Sequence, residues 1–282
     1  MFNRGRSLGH APRLLYPAKS LLTRARATAW RVRRPTAAPG VRIIYYHRIA
    51  EARDELAVSP QSFRRQMESL ARAGLRGVDT TEAAAGGDGI VGLNFDDGYR
   101  DVAEHALPVL ERLGFRATVF VPTGVIDGSA RLEWYDEQPE LLGWDEIRSL
   151  DAAGTLVFEP HTVTHRNLLT LSDDEVEHEI AGSKRELEAQ LGRATEVFCY
   201  PAGLFGERER ALVESAGFRL AVSCEPGAND RATDPLALRR IQIDRRDPLL
   251  AFEAKVGGGF DSPPPLRARW RRLRYGMESS RS

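Results

Sequence analysis

The sequence predicts an α/β fold, a distorted (β/α) barrel of about seven parallel strands. Three observations lead there. Short apolar runs alternate with longer helix-like segments from residue 41 to about residue 255, as βα units that close on themselves require. At 282 residues, 42% of them apolar, the chain suffices for one barrel or two small domains. Its acidic and histidine clusters fall where apolar runs end, and such barrels carry their chemistry at the C-terminal ends of their strands.

The elements follow in order. Residues 1–40 hold nine Lys or Arg and no acid. Their longest apolar clusters are Leu14-Leu15-Tyr16 and Leu21-Leu22, too short for a signal peptide, and no stretch of the chain would span a membrane. Leu14, Leu15, Leu21, Leu22, Ala25 and Trp30 among arginines read either as a basic amphipathic segment lying on an anionic membrane surface or as a disordered basic tail. The expected location is therefore cytoplasmic or peripheral to a membrane. Residues 35–40 read as a linker. A strand over 41–47 leads to a helix over 59–73, with Pro60 in its first turn and Gly74 closing it. Strands are expected at 90–95, 117–121 and 155–159, and helices at 101–113 and 144–153. Ser172 with Glu175 three residues on forms a capping box that opens a helix over 172–191. Strands at 195–200, 220–224 and 237–243 complete the set. From Ser262, Pro263 to Pro265 and the cluster Arg267 to Arg274 read as a stiff spacer and a basic tail. The organisation is thus a basic segment (1–40), a folded α/β domain (41–260) and a Pro/Arg-rich tail (261–282). Net charge is zero because the basic ends offset an acidic middle, and no nucleic-acid partner is expected. Cys199 and Cys224 sit in apolar runs and read as small buried thiols.

Chemistry centres on Val91-Gly92-Leu93-Asn94-Phe95-Asp96-Asp97-Gly98. A buried strand here runs into two adjacent carboxylates. Two ionised neighbours repel each other, and a chain keeps such a pair in a dry place mainly when a cation or a shared proton offsets the repulsion. The alternative is an ordinary β-turn, for which Asp-Asp-Gly is also suited. His161-Thr162-Val163-Thr164-His165 follows another strand-like run and Pro160. The β-branched residues between the histidines, the upstream proline and the missing glutamate argue against a zincin helix. The pair is either two surface histidines or, with the carboxylate doublet, a three-ligand metal site with a position open for water.

These residues resemble the polysaccharide deacetylases of carbohydrate esterase family 4, which carry the NodB homology domain. Asn94-Phe95-Asp96-Asp97-Gly98 is similar to the family's first motif, His161-Thr162-Val163-Thr164-His165 to its second, and Cys199-Tyr200-Pro201-Ala202-Gly203 to one branch of its third. The resemblance spans roughly residues 41–255. It implies a NodB-type barrel with Asp96 as general base, Asp97, His161 and His165 as metal ligands, backbone around Ala202 in the oxyanion hole, and Tyr200 and Pro201 against the substrate. Two departures stand out. Cys199 replaces the arginine that in many members holds the catalytic Asp, and no histidine occurs in the run 237–243 to act as general acid. Arg239 and Arg240 are the candidate substitute cations, with Arg240 expected to pair with Asp96. His47, ending Ile43-Ile44-Tyr45-Tyr46-His47, is the candidate acid, against the alternative of a core histidine bonded to backbone. In the loop between Gly124 and Gly143, Trp134 and Tyr135 either stack on a sugar ring or pin the loop.

The resemblance implies a hydrolase that removes N-acetyl groups from an amino-sugar polysaccharide, oligosaccharide or glycolipid precursor. It would use a divalent metal, zinc by ligand preference, with Co²⁺, Ni²⁺ or Mn²⁺ able to occupy the same set. Two other readings stay open: hydrolysis of another amide or of an O-acetyl ester on the same site, and a non-catalytic carbohydrate-binding barrel.

Overall fold

The computed structural model describes residues 16–33 and 39–261. The chain runs α1 (Tyr16–Arg33), β1 (Val41–Tyr46), β2 (Arg48–Ile49), β3 (Ala57–Val58), α2 (Pro60–Arg72), β4 (Arg76–Val78), α3 (Thr80–Ala85), β5 (Ile90–Asp96), α4 (Leu107–Leu113), β6 (Ala117–Val121), α5 (Thr123–Ile126), α6 (Trp144–Ala153), β7 (Leu156–Pro160), α7 (Asp173–Leu191), β8 (Val197–Cys199), α8 (Glu207–Ser215), β9 (Leu220–Val222), β10 (Ala228–Asn229), β11 (Arg240–Gln242) and α9 (Leu249–Val256).

Seven parallel strands make the barrel wall. β11, β1, β5, β6 and β7 lie side by side in that order. β8 pairs with β9, and a parallel bridge from Val222 to Leu238 leads towards β11. Alternate residues of β1 serve two cores, as the twofold repeat of a strand dictates. Ile43 packs with Phe120, Val197, Cys199, Val222 and Leu238. Ile44 and Tyr46 turn the other way, to Phe63, Met67, Phe95 and Val119 beneath the helices.

Between β7 and β8 the wall is joined by side chains in place of a backbone ladder. The Glu159 carboxylate accepts the N–H groups of Glu196 (3.0 Å) and Val197 (2.9 Å). Arg193 donates to Glu159 at 3.2 Å and to the Phe158 carbonyl at 2.8 Å. The seam is what makes the barrel distorted.

Several expectations change in detail. The helix expected over 101–113 begins as a π-helix over Val102–Ala106 before α4. Pro108 explains this, because it has no N–H for the preceding turn and its ring crowds the carbonyl four residues back, which a wider turn relieves. The strands expected at 195–200, 220–224 and 237–243 are three residues each. Within the segment 1–40, read as a membrane-surface segment or a disordered basic tail, residues 16–33 are a helix docked on the barrel, which corrects the disordered reading for those residues alone. Ala27 is buried against Ala251 and Ala254 of α9, with Trp30 beside them, and the Arg26 Nε donates to the Gly259 carbonyl at 2.7 Å. A β-carbon at Gly257 would lie 2.2 Å from the Trp30 ring, so this contact requires glycine. Leu14, Leu15, residues 35–38 and the tail from Ser262 lie outside the described residues.

The seam titrates. Burial pushes Glu159 up to about 7 from its ordinary 4.5, against the pull of the Val197 N–H and of Arg193. Between those values the folded chain holds a proton that the unfolded chain releases, so this group's contribution to stability falls as pH rises from about 4.5 to about 7. Glu159→Gln removes the titration. The wild-type melting temperature minus that of the variant should therefore fall across this window and level off above it. A difference that is flat across the window would show that Glu159 is ionised throughout.

Candidate metal and catalytic site

β5 delivers Asp96 at its last residue, and the chain then turns through Asp97 at φ 73° and Gly98 at φ 71°. A left-handed backbone costs a non-glycine residue about 1 kcal/mol, least for Asp and Asn. The turn separates the environments of two adjacent carboxylates, and each meets a different partner.

Asp96 meets Arg240. The guanidinium is bidentate, with Nη1 to Oδ1 at 2.7 Å and Nη2 to Oδ2 at 2.9 Å. Its Nε donates to the Ser223 carbonyl at 2.9 Å, and Nη2 also reaches Cys199 Sγ at 3.1 Å. The guanidinium carbon lies 4.3 Å from the centre of the Tyr45 ring. Burial alone would raise the Asp96 pKa, but the charges of Arg240, His161 and His47 and the hydrogen bonds of the guanidinium together outweigh it and hold the carboxyl below the usual carboxylate range. Arg239, the other candidate cation, is exposed.

Asp97 meets the histidines. Its Oδ2 accepts the Tyr99 hydroxyl at 3.2 Å, while its buried Oδ1 has no hydrogen-bond partner. That orphan oxygen lies 3.7 Å from His161 Nε2 and 3.6 Å from His165 Nε2, and one atom from each of the three residues falls within 4.8 Å of the others. His161 Nδ1 is 2.8 Å from the Cys199 carbonyl. A carbonyl only accepts, so Nδ1 carries the proton and Nε2 presents its lone pair towards Asp97. Burial pushes His161 down to about 4 and, joined by the His161 charge, depresses His165 as well, so both rings are neutral at pH 7. Burial and then the Asp96 charge raise Asp97. Two neutral imidazoles and an orphan carboxylate oxygen fit a divalent cation. Asp96, His161 and Cys199 are equally close together, but Asp96 is committed to Arg240, and burial keeps the Cys199 thiol protonated.

The loop 161–165 is itself strained, with Thr162 at φ 68° and His165 at φ 59°. It is clamped by Glu179 of α7, whose carboxylate accepts the N–H groups of Val163 (3.0 Å) and Thr164 (2.8 Å) and the Thr164 hydroxyl. The sequence reading missed Glu179 and Tyr99. Glu179 left a signal, since it is an acid beside Val176, Ile180, Ser183 and Leu187 on the buried stripe of α7.

The remaining candidates divide. His47 is half-buried just past β1, its ring centroid 5.7 Å from that of Tyr45, and it is near enough for its charge to bear on Asp96, His161 and His165. Ala202 is exposed on a tight turn at φ 53°. Trp134 stands edge-on to His165 with centroids 4.8 Å apart and packs with Tyr99, Val125 and Leu132. Tyr135 donates its hydroxyl to Asp54 at 2.6 Å, and its oxygen lies 3.4 Å from that of Tyr99, whose one hydroxyl proton is directed at Asp97. Both aromatics thus pin the loop to the site wall. Tyr200 and Pro201 require correction as substrate contacts. Tyr200 is fully buried, stacked on Phe205 at 4.2 Å, and donates to the Leu236 carbonyl at 3.1 Å. Pro201 is buried as well. Their position in the chain put them near the site, but their side chains turn into the core.

Comparison with known proteins agrees with this geometry. The family model described as polysaccharide deacetylase matches residues 83–221. YxkH of Bacillus subtilis (strain 168), provisionally named a polysaccharide deacetylase, is 28% identical over 224 residues, covering 77% of this chain and 75% of that protein. The poly-β-1,6-N-acetyl-D-glucosamine N-deacetylase of Staphylococcus aureus (strain MRSA252) is 25% identical over 153 residues, which cover 50% of this chain and about half (51%) of that protein. Among solved structures, the fold matches the Streptococcus pyogenes deacetylase PplD, determined with acetate (TM-score 0.69, 23% identity, 77% of this chain and 98% of that one). It also matches IcaB from Ammonifex degensii (TM-score 0.67, 22% identity, 79% and 98%).

The Glu179 clamp makes a separable prediction. Glu179→Ala strands two backbone N–H groups and a hydroxyl, and should weaken zinc binding by about tenfold or more, as loss of outer-shell partners does. Glu179→Gln keeps an acceptor for both N–H groups and a donor for the Thr164 hydroxyl, and should bind zinc nearly as wild type does. Zinc titration calorimetry reads both, and wild-type affinity in the alanine variant would show the clamp to be dispensable.

Proposed function

The chain belongs to the polysaccharide deacetylase family, and on that premise we propose that it is a metal-dependent hydrolase removing N-acetyl groups from an amino-sugar polysaccharide, oligosaccharide or glycolipid precursor. The observation that carries this reading is the pairing of an Arg-held carboxylate, Asp96, with an adjacent Asp-His-His set whose carboxylate oxygen is otherwise unpartnered. Asp97, His161 and His165 would hold the cation, preferably zinc, with Co²⁺, Ni²⁺ or Mn²⁺ compatible with the same donors. When bound, such an ion supplies Lewis acidity that brings the pKa of water towards about 7.

The chain's own residues account for the rest. Asp96, kept ionised and oriented by Arg240, takes the proton of the water that attacks the acetyl carbon. A backbone N–H at the Ala202 turn donates to the developing oxyanion, a role that needs no particular side chain. An imidazole N–H of His47, or Asp96 after it has gained a proton, protonates the departing nitrogen. Acetate and a free amine result. Trp134 presents an aromatic edge beside His165, where it excludes water and borders the acyl group.

The substrate class draws support from the Staphylococcus aureus relative, whose name specifies poly-β-1,6-N-acetyl-D-glucosamine. Acetate release from that polymer's oligomers, from chitooligosaccharides and from O-acetylated sugars tests it. Release confined to O-acetyl esters would replace the amidase reading with an esterase.

The roles of the two acids and the histidines separate cleanly by mutation. His161→Ala should lose bound metal and activity together with the fold intact by circular dichroism. Asp96→Asn should retain metal while turnover drops by about 100-fold or more. Full metal stoichiometry in His161→Ala, or equal metal loss in both variants, would overturn the assignment.

A further inference from the structure

The buried and exposed faces of α1 oppose each other. Ala27 is buried, and Thr23, Arg26 and Trp30 are half-buried, on the side that meets α9. At about 100° per residue, Leu21, Leu22, Ala25, Ala29 and Val32 share the opposite side. Leu21 is 70% exposed, Leu22 69% and Val32 79%, and among the described residues no other large apolar side chain is exposed in this way. The stripe is bordered by cations, with Arg24 and Arg31 along one edge and Arg33 along the other, all exposed. The helix contains no acid.

The chain on either side adds to the charge. Gly259 accepts from Arg26, and Asp261 accepts from Arg42 Nε at 2.9 Å, so the described chain ends beside the root of α1. The sequence that continues from there carries Arg267, Arg269, Arg271, Arg272 and Arg274, and the sequence that leads into α1 carries Arg4, Arg6 and Arg13.

We propose that α1 is an in-plane anchor to a bilayer containing anionic phospholipid. Its apolar stripe would enter the boundary between headgroups and acyl chains, and its arginines would lie at the level of the phosphates. Three features select this occupant. No helix of the described chain is long and apolar enough to cross a membrane, which leaves the surface orientation. Two copies meeting stripe to stripe would bring their arginine borders together at a cost. A nucleic acid would satisfy the arginines and leave the leucines in water. A lipid surface alone meets both parts.

Sedimentation of the full chain with vesicles tests the proposal. Binding to phosphatidylcholine vesicles that contain phosphatidylglycerol should exceed binding to phosphatidylcholine alone by about tenfold or more, and should weaken in high salt. The variant Leu21→Glu/Leu22→Glu/Val32→Glu should lose about tenfold or more of that affinity, with circular dichroism and melting temperature unchanged because these side chains pack on nothing. If that variant unfolds, Leu21→Ser/Leu22→Ser/Val32→Thr gives the same reading with less charge. Undiminished vesicle binding in the folded variant would assign the contact to the basic ends instead and overturn the proposal. So would absence of binding to either vesicle, or a dimer of the wild type in light scattering that the variant abolishes.

Discussion

The site rests on one buried ion pair. Arg240 and Asp96 are both removed from water, a situation costing several kcal/mol per ion unless geometry and extra hydrogen bonds offset it. Here they do. The two groups meet fork to fork, Nε is taken by the Ser223 carbonyl, and the guanidinium lies over the Tyr45 ring. Because β11 and β5 flank β1 on either side, the pair also ties three strands together at the catalytic end. Its chemical effect is to make two adjacent aspartates unlike. Asp96 is held ionised by a fixed cation, and Asp97 is left with a raised pKa and an open oxygen. The two residues proposed as base and ligand can thus stand next to each other in sequence without sharing one proton.

Precision at the ligand set comes from strain that is held in place. Asp97, Thr162, His165 and Ala202 all have positive φ, and they are the only described non-glycine residues that do. All four belong to the motif segments. Each left-handed residue is worth keeping only where surrounding contacts fix it. For the histidine loop those contacts are the Glu179 carboxylate and the Thr162 hydroxyl, which accepts the His165 N–H at 2.9 Å. For Asp97 they include Tyr99, which is linked through Tyr135 to Asp54 and from there to Arg48. The aromatic loop and Asp97 are therefore parts of one polar assembly.

Much of this was legible in the sequence, for a physical reason. Strand-end acids and histidines are constrained by local chemistry, so the spacing of Asp96, Asp97, His161 and His165 announces a site before any fold is known. The partnership of Arg240 with Asp96 was legible by electrostatic necessity, since a buried carboxylate lacking the usual arginine needs another cation. Side-chain direction was not. Tyr200 lies next to Cys199, whose thiol faces Arg240, and one residue of strand alternation is enough to send the phenol to the Phe198 and Phe205 core instead. Docking of α1 was also hidden. It depends on Ala27 and Trp30 finding small residues on α9 and glycines just after it, a match between segments more than 200 residues apart that no local pattern encodes.

The seam between β7 and β8 connects the barrel's irregularity to its chemistry. A regular ladder would commit the backbone of both strands to each other along their length. Here Glu159 substitutes for it by accepting two N–H groups at the start of β8. One residue beyond β7, His161 Nδ1 takes the Cys199 carbonyl that ends β8. The bond that joins the wall at this end is therefore the same bond that fixes the tautomer of His161, a candidate metal ligand. Cys199 contributes the carbonyl while its thiol faces the Arg240 that holds the base. A small side chain at this position leaves room for Arg240 to reach Asp96 from β11. With a cysteine at position 199, the cation beside Asp96 is supplied by Arg240, whose guanidinium also borders the Cys199 thiol.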